Sequence, residues 1–142
     1  MRVRNQKKNA DLVQYPVAVR GLSWRYGNRQ VLSDITLSFE KGKLYSIIGP
    51  NGSGKTTLLR NIAKSLEPAA GSVFLNGTDI MDLSTRDVAR KLSVVPQNTY
   101  IDFDFTVLDI VLMGRNPYIS RLGSESREDM AAAEHAMRLT NT

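Results

Sequence analysis

The sequence predicts an α/β fold in which an antiparallel hairpin precedes a buried strand, a glycine-rich loop and a helix. Over residues 17–39, apolar and polar residues alternate around the turn residues Gly27-Asn28, as in a half-buried β-hairpin. Residues 44–48 are apolar almost throughout, which is typical of a strand buried on both faces of a parallel sheet. After the loop, residues 56–66 have the pattern of a helix. The order strand, loop, helix is therefore the core of the predicted fold.

Two more strands and three more helices are predicted beyond this core. Residues 72–75 form a short strand, and residues 92–95 form a second buried strand that ends at Pro96-Gln97. Each helix start has a serine or threonine followed three residues later by an aspartate, the pattern of an N-cap. The pairs are Ser84 with Asp87, Thr106 with Asp109, and Ser126 with Asp129. The second of these helices is predicted to end at Gly114, and the last carries an apolar stripe of Met130, Ala133 and Met137.

Length and composition limit the possible functions. A chain of 142 residues with 42% hydrophobic and 23% charged residues is ordinary for one globular domain, which excludes collagen-like, low-complexity and wholly disordered classes. The absence of cysteine excludes disulfides and cysteine nucleophiles, and the one histidine, His135, is predicted to be a surface or packing residue. No apolar run approaches the roughly 18 residues of a transmembrane helix, so a cytosolic location is predicted.

The net charge of +5 comes from the start of the chain. The first ten residues include four basic and no acidic side chains, and the other 132 residues carry 15 basic and 14 acidic side chains. A short basic segment of this kind is usually a solvated tail. We therefore predict that residues 1–16 are a disordered tail, with a nucleic-acid or membrane-surface arm as the alternative.

The glycine-rich loop at residues 49–56 matches the P-loop pattern G-x-x-x-x-G-K-[ST]. Backbone N–H groups that curl around a polyphosphate bind it, and the glycines permit both the backbone angles and the close approach. Lys55 brings a cation to the β and γ phosphates, and the Thr56 hydroxyl can bind Mg²⁺. The following helix points the positive end of its dipole at the anion. About one chain of this length in two hundred would match by chance, so a glycine-rich turn that binds nothing is the weaker interpretation.

Residues 49–57 resemble the Walker A loop of ATP-binding-cassette (ABC) ATPases, and residues 22–27 and 31–37 are similar to the opening hairpin of that family. The resemblance implies that the ring of Tyr26 stacks on adenine, since a flat ring is a general means of holding a base. The alternative is that Tyr26 only packs in the hairpin. The residues implied to bind the nucleotide are Tyr26, Gly49, Asn51, Gly52, Ser53, Gly54, Lys55, Thr56 and Thr57.

Two later segments also resemble this family. Residues 92–97 are similar to its Q-loop, which implies that Gln97 contacts Mg²⁺ or the attacking water. Together with the P-loop, the resemblance implies that Thr56 and Gln97 are the Mg²⁺ ligands. Residues 106–118 resemble the start of the helical subdomain in importer ATPases for iron chelates, haem and cobalamin. Among these importers, the ferric siderophore and ferric citrate systems are the most similar.

The resemblance implies that residues 17–142 are the N-terminal part of an ABC ATPase domain, with a P-loop at 49–56, a Q-loop near 97 and the start of a helical subdomain at 106–142. It implies ATP and Mg²⁺ as cofactors. The implied partners are membrane permease subunits, a second ATPase subunit in a homodimer and, indirectly, a substrate-binding protein, with no direct nucleic-acid contact. The implied location is cytoplasmic and peripheral, on the inner face of the cell membrane.

The sequence lacks the signature Leu-Ser-Gly-Gly loop, the Walker B strand with its catalytic glutamate and the switch histidine of a complete family domain. We therefore predict a truncated ATPase subunit that binds nucleotide weakly and does not hydrolyse it. Uncovered apolar strands are expected to cause low stability or aggregation. Two alternatives stay open: a catalytically inactive nucleotide-binding fragment, and a soluble P-loop ATPase that acts on nucleic acid through its basic tail.

Overall fold

The chain divides after Ser93 into two units, Met1–Ser93 and Val94–Thr142. The computed structural model describes residues 10–97, 104–120 and 123–142. In these ranges, no helix has both the length and the apolar character that crossing a bilayer requires.

The first unit is built on a four-stranded sheet in which every neighbouring pair of strands is antiparallel. The strands are β1 (Val17–Tyr26), β2 (Arg29–Phe39), β3 (Val73–Leu75) and β4 (Thr78–Asp79), in the order β2-β1-β3-β4. The predicted hairpin is β1 with β2, and the strand predicted at 72–75 is β3. Both predictions are confirmed.

The larger hydrophobic core lies between this sheet and the first helix, α1 (Lys55–Ile62). Its buried members are Val19, Leu22, Leu32, Leu58, Ile62, Val73, Leu75, Ile80 and Val88. Burying one aliphatic side chain of this size contributes about 1.5–3 kcal/mol. The core therefore fixes α1, and with it the end of the P-loop, against the hairpin.

A smaller core forms around Leu12, Ala18 and Phe74. Leu12 is only 1% exposed and belongs to a 3-10 turn, Ala10–Leu12. The prediction of a disordered tail is therefore wrong for residues 10–16, because the burial of Leu12 holds this segment against the sheet. Residues 1–9, which carry the basic side chains of the predicted tail, lie outside the described residues.

The three predicted N-caps are confirmed in the helices α2 (Thr85–Ala89), α3 (Val107–Met113) and α4 (Arg127–Thr140). The hydroxyls of Ser84, Thr106 and Ser126 each accept a hydrogen bond from the backbone N–H three residues later. Helix α3 ends at Gly114 as predicted. Helix α1 ends four residues earlier than predicted, because Lys64 adopts a left-handed backbone with φ +55°. The Lys64 ammonium also donates a hydrogen bond to the carbonyl oxygen of Ile80 at 2.9 Å.

The two buried strands predicted at 44–48 and 92–95 are wrong as strands of the described structure. No described strand pairs with either segment. Leu44 and Ile48 are 97% and 92% exposed, and Val95 is 91% exposed. The apolar pattern is that of a buried strand, but a strand also needs neighbours that satisfy its backbone groups. The exposed apolar side chains agree with the expectation of low stability or aggregation, which stays a prediction.

In the second unit, an ion pair joins the end of α3 to the start of α4. The Arg115 Nε donates to the Asp129 carboxylate at 2.9 Å, and the Arg115 guanidinium lies 4.1 Å from the centre of the Tyr118 ring. On α4, Ala133 is buried and His135 is exposed, as predicted for both. The predicted stripe is confirmed, since the side chains of Met130 and Met137 are half-buried on the same helix.

The stability of the α4 start is expected to fall at acid pH. Hydrogen bonds from Ser126 and the Arg115 guanidinium lower the pKa of Asp129 below its ordinary value of 3.8. Because the folded pKa is below the unfolded one, this stabilisation is present above about pH 3.9 and is lost as the pH falls through the folded pKa. We expect an NMR titration of the Asp129 carboxyl carbon to show a lowered midpoint, and Ser126→Ala to raise it. An unchanged midpoint in Ser126→Ala would contradict the assignment of this hydrogen bond as the main cause.

Candidate functional site

The P-loop joins residues 44–48 to helix α1, and its last glycine is the N-cap of that helix. Gly54 has φ +94°, and the first helical hydrogen bond runs from the Leu58 N–H to the Gly54 carbonyl oxygen at 2.8 Å. No side chain of the described residues caps this helix. The N–H groups of Lys55, Thr56 and Thr57 thus precede the first helical hydrogen bond, at the positive end of the helix dipole. This end of α1 suits an anion.

The loop glycines differ in what a side chain would meet. A Cβ on Gly49 would lie 2.8 Å from the Ser53 Oγ, at the end of an exposed side chain that can turn away. A Cβ on Gly54 would lie 2.9 Å from the Leu32 Cδ2. Gly52 has open space around it, but its φ is +79°, a backbone angle that residues with a Cβ rarely adopt. Gly52 and Gly54 thus have backbone angles that favour glycine, and Gly54 also approaches β2 closely, as a cradle for phosphate requires.

The Lys55 ammonium is held inside the loop by backbone oxygens. Its Nζ donates hydrogen bonds to the carbonyl oxygens of Gly49 at 2.7 Å and Pro50 at 2.8 Å. The side chain is half-buried. These two contacts keep the cation on the loop that leads into the N-terminus of α1, so the cation and the helix start both contribute positive potential to this loop.

The other P-loop residues differ in exposure. Asn51, Ser53 and Thr56 are exposed, whereas Thr57 is only 8% exposed. The Thr57 carbonyl oxygen accepts a hydrogen bond from the side chain of the buried Asn61 at 2.8 Å. The predicted phosphate contact of Thr57 is therefore best made by its backbone N–H.

Tyr26 lies at the end of β1 in the same unit as the P-loop. Its ring packs edge-to-face with Trp24, with ring centres 6.1 Å apart, and the residue is 46% exposed. Tyr26 thus packs in the hairpin and also leaves surface for a ligand. Gln97 is exposed and belongs to the second unit, so its contact with Mg²⁺ stays a prediction.

One contact of the site was absent from the sequence-based prediction. Val31 and Leu32 of β2 lie against Gly54, although the sequence pattern assigned them only to the hairpin. Their apolar character indicates burial but does not indicate which loop they contact, so no local signal could have identified them.

A glycine N-cap in the left-handed region, a helix start that no described side chain caps and a lysine held by loop carbonyls are consistent with part of a P-loop ATPase domain. The chain belongs to the ABC transporter family, whose profile matches residues 32–142.

Curated relatives of this chain include ATP-binding proteins of import and transport systems. It is 39% identical to the hemin import ATP-binding protein HmuV of Myxococcus xanthus, over 87% of this chain and 46% of that protein. It is 38% identical to the probable siderophore transport system ATP-binding protein YusV of Bacillus subtilis, over 87% of this chain and 45% of that protein. A cobalamin import ATP-binding protein, BtuD of Halobacterium salinarum, is 38% identical over 86% of this chain and 30% of its own length. The chain thus spans less than half the length of these relatives.

Solved structures agree with this family. An inward-facing metal-chelate type ABC transporter matches 90% of this chain and 45% of its own chain, with a TM-score of 0.69 and 25% identity. The ATP-binding subunit of an ABC transporter matches 74% of this chain and 44% of its own, with a TM-score of 0.64 and 26% identity.

Proposed function

We propose that this chain binds the triphosphate of ATP together with Mg²⁺ in its P-loop. The observation that carries the proposal is the P-loop geometry, in which one loop ends at the N-terminus of α1 and holds the Lys55 ammonium on its own carbonyl oxygens. Because the chain spans less than half of its relatives, hydrolysis and transport are proposed for the whole protein, and nucleotide binding for this chain.

The loop residues have separate roles in this proposal. The backbone N–H groups at the start of α1 donate hydrogen bonds to phosphate oxygens. Lys55 exchanges its two carbonyl partners for β and γ phosphate oxygens, which are stronger acceptors because they are charged. The exposed hydroxyl of Thr56 is a Mg²⁺ ligand in this proposal. It offers the oxygen donor that Mg²⁺ prefers, and the ion would neutralise charge on the phosphates. Gln97 belongs to the second unit, and its role as a further ligand stays an expectation from the family resemblance.

The relatives support a role in import. Three of them are named for the import or transport of hemin, siderophore or cobalamin. We propose that the whole protein is the energy-coupling ATPase subunit of an importer for an iron siderophore or a related metal chelate. In this proposal it pairs with a second ATPase subunit and binds permease subunits on the inner face of the membrane. A substrate-binding protein would act with it indirectly.

The test is equilibrium dialysis of the folded chain with labelled ATP and Mg²⁺, with Tyr26→Ala as a variant. We expect Tyr26→Ala to weaken ATP binding about tenfold, because stacking on one base contributes roughly 1–3 kcal/mol. Inorganic tripolyphosphate has no base, so its binding should be unchanged. Tyr26→Phe keeps the ring and is the matched control. Absence of ATP binding to the unaltered, folded chain would overturn the proposed function, and equal losses for both ligands would overturn the stacking role of Tyr26.

A further inference from the structure

The hairpin and the P-loop come into contact at Gly54. A Cβ at this position would lie 2.9 Å from the Leu32 Cδ2 and 3.1 Å from the Val31 carbonyl oxygen. Because this leaves no room for a methyl group, strand β2 limits the positions that the N-cap of α1 can adopt. The direction of the first N–H groups of α1 follows from the position of that N-cap.

Leu32 is itself held in place from the hairpin side. It is 5% exposed, belongs to the larger core and lies opposite Trp24 in the β1–β2 pairing. Its carbonyl oxygen accepts a hydrogen bond from the Gln30 side chain. Side chains in such cores are packed closely enough that displacements are transmitted to their neighbours. A displacement of β2 would therefore also displace Gly54.

The same pair of strands carries the aromatic ring proposed for adenine. Tyr26 lies two residues after Trp24 on β1, a distance of about 7 Å along the strand. One further pair, Arg25 with Gln30, lies between the Trp24–Leu32 pair and the Tyr26–Arg29 pair, and the register shifts beside Trp24. Leu32 and Tyr26 are therefore close to the same end of one hairpin, and the strand pairing sets the distance between them.

We propose that Leu32 is a positioning residue for nucleotide binding. Its side chain holds Gly54 in the left-handed N-cap conformation and fixes the P-loop N–H groups at a set distance from the Tyr26 ring. Leu32 acts through Gly54 and does not contact the nucleotide. This inference rests on the proposed function and deepens it, because it adds a residue that decides the geometry of the same site.

The experiment compares Leu32→Ala with Leu75→Ala in the full chain. Leu75 is 2% exposed in the same core but lies opposite Val17, at the other end of β1 from Tyr26. Both variants lose the same atoms, so both lower stability. Binding of Mg²⁺-ATP and of tripolyphosphate is measured on the folded fraction. We expect Leu32→Ala to weaken both ligands about tenfold and Leu75→Ala to weaken neither by more than about twofold. Leu32→Met, which conserves volume, should restore binding.

The outcomes separate this inference from the proposed function. Binding by the unaltered chain with equal affinities in Leu32→Ala and Leu75→Ala would overturn the positioning role alone. No binding by the unaltered chain would overturn the proposed function and this inference with it. If either alanine variant does not fold, Leu32→Val and Leu75→Val replace them. The same contrast between the two positions then supports the role, and its absence overturns it.

Discussion

Replacing Lys55 by alanine is expected to weaken Mg²⁺-ATP binding by about 10- to 100-fold. A hydrogen bond to a charged group contributes about 1.5–3 kcal/mol, and the net gain from Lys55 is about that of one such bond, because the ammonium gives up two carbonyl partners when it binds the phosphates. In the free chain its ammonium bonds the carbonyl oxygens of Gly49 and Pro50. Both residues are exposed, so water replaces the lost hydrogen bonds and the fold should be retained. Isothermal titration calorimetry with ATP and Mg²⁺ measures the loss, and circular dichroism checks the fold.

The matched control for this prediction is Lys43→Ala. Lys43 is exposed and lies in the segment that leads into the P-loop, so its removal changes the net charge by the same amount. We expect its effect on ATP affinity to be less than about twofold, because an exposed charge outside the site is screened by salt. Equal losses for both lysines would indicate general electrostatic attraction and would contradict a specific role for Lys55.

The parts of the fold that could be predicted from the sequence are those that depend on neighbours in the chain. The N-caps at Ser84, Thr106 and Ser126 were predicted because the hydroxyl and the N–H that it accepts from are three residues apart. The P-loop was predicted for the same reason, because the residues that form the phosphate cradle and the helix after it are consecutive in the sequence. The hairpin followed from the alternation of apolar and polar residues around the turn residues Gly27-Asn28.

The parts of the fold that were predicted wrongly depend on contacts between residues that are far apart in the sequence. The apolar runs at 44–48 and 92–95 have the composition of buried strands, but among the described strands none pairs with them. The composition of a segment indicates that its side chains can be buried. It does not indicate which other segment packs against them. The burial of Leu12 was missed because its partners, Ala18 and Phe74, come from two strands. The end of α1 was missed because Lys64 bonds to Ile80, sixteen residues later.

The candidate site divides in the same way. The loop and the cation of Lys55 come from one short segment, and the sequence predicts both. The contact of Leu32 with Gly54 joins two segments that the motif does not connect, so it becomes visible only in the folded chain. This contact also explains why the glycine is needed for space as well as for its backbone angle.

Gly54→Ala is the second substitution with a large expected effect, because two costs coincide there. An alanine at φ +94° is strained by about 1–2 kcal/mol. Its Cβ would also lie 2.9 Å from the Leu32 Cδ2 and 3.1 Å from the Val31 carbonyl oxygen. Overpacking of this kind typically costs about 1–3 kcal/mol. Relief of the clash requires the N-cap to move, which turns the first N–H groups of α1 away from the phosphates. We expect both a lower free energy of unfolding and a loss of ATP affinity of at least about tenfold.

Gly42→Ala is the control that separates the cost of backbone strain from the cost of the steric clash. Gly42 has φ +72°, but a Cβ there would meet no described atom within 4 Å. It therefore carries the backbone strain without the clash, and it lies outside the P-loop. Urea unfolding followed by the fluorescence of the one tryptophan, Trp24, should show a smaller loss of stability for Gly42→Ala, and calorimetry should show an unchanged ATP affinity. If the two glycines gave equal losses of stability and neither changed the affinity, the contact with β2 would have no part in shaping the loop. If only Gly54→Ala lost affinity, the hairpin and the phosphate loop would have to be treated as one binding element.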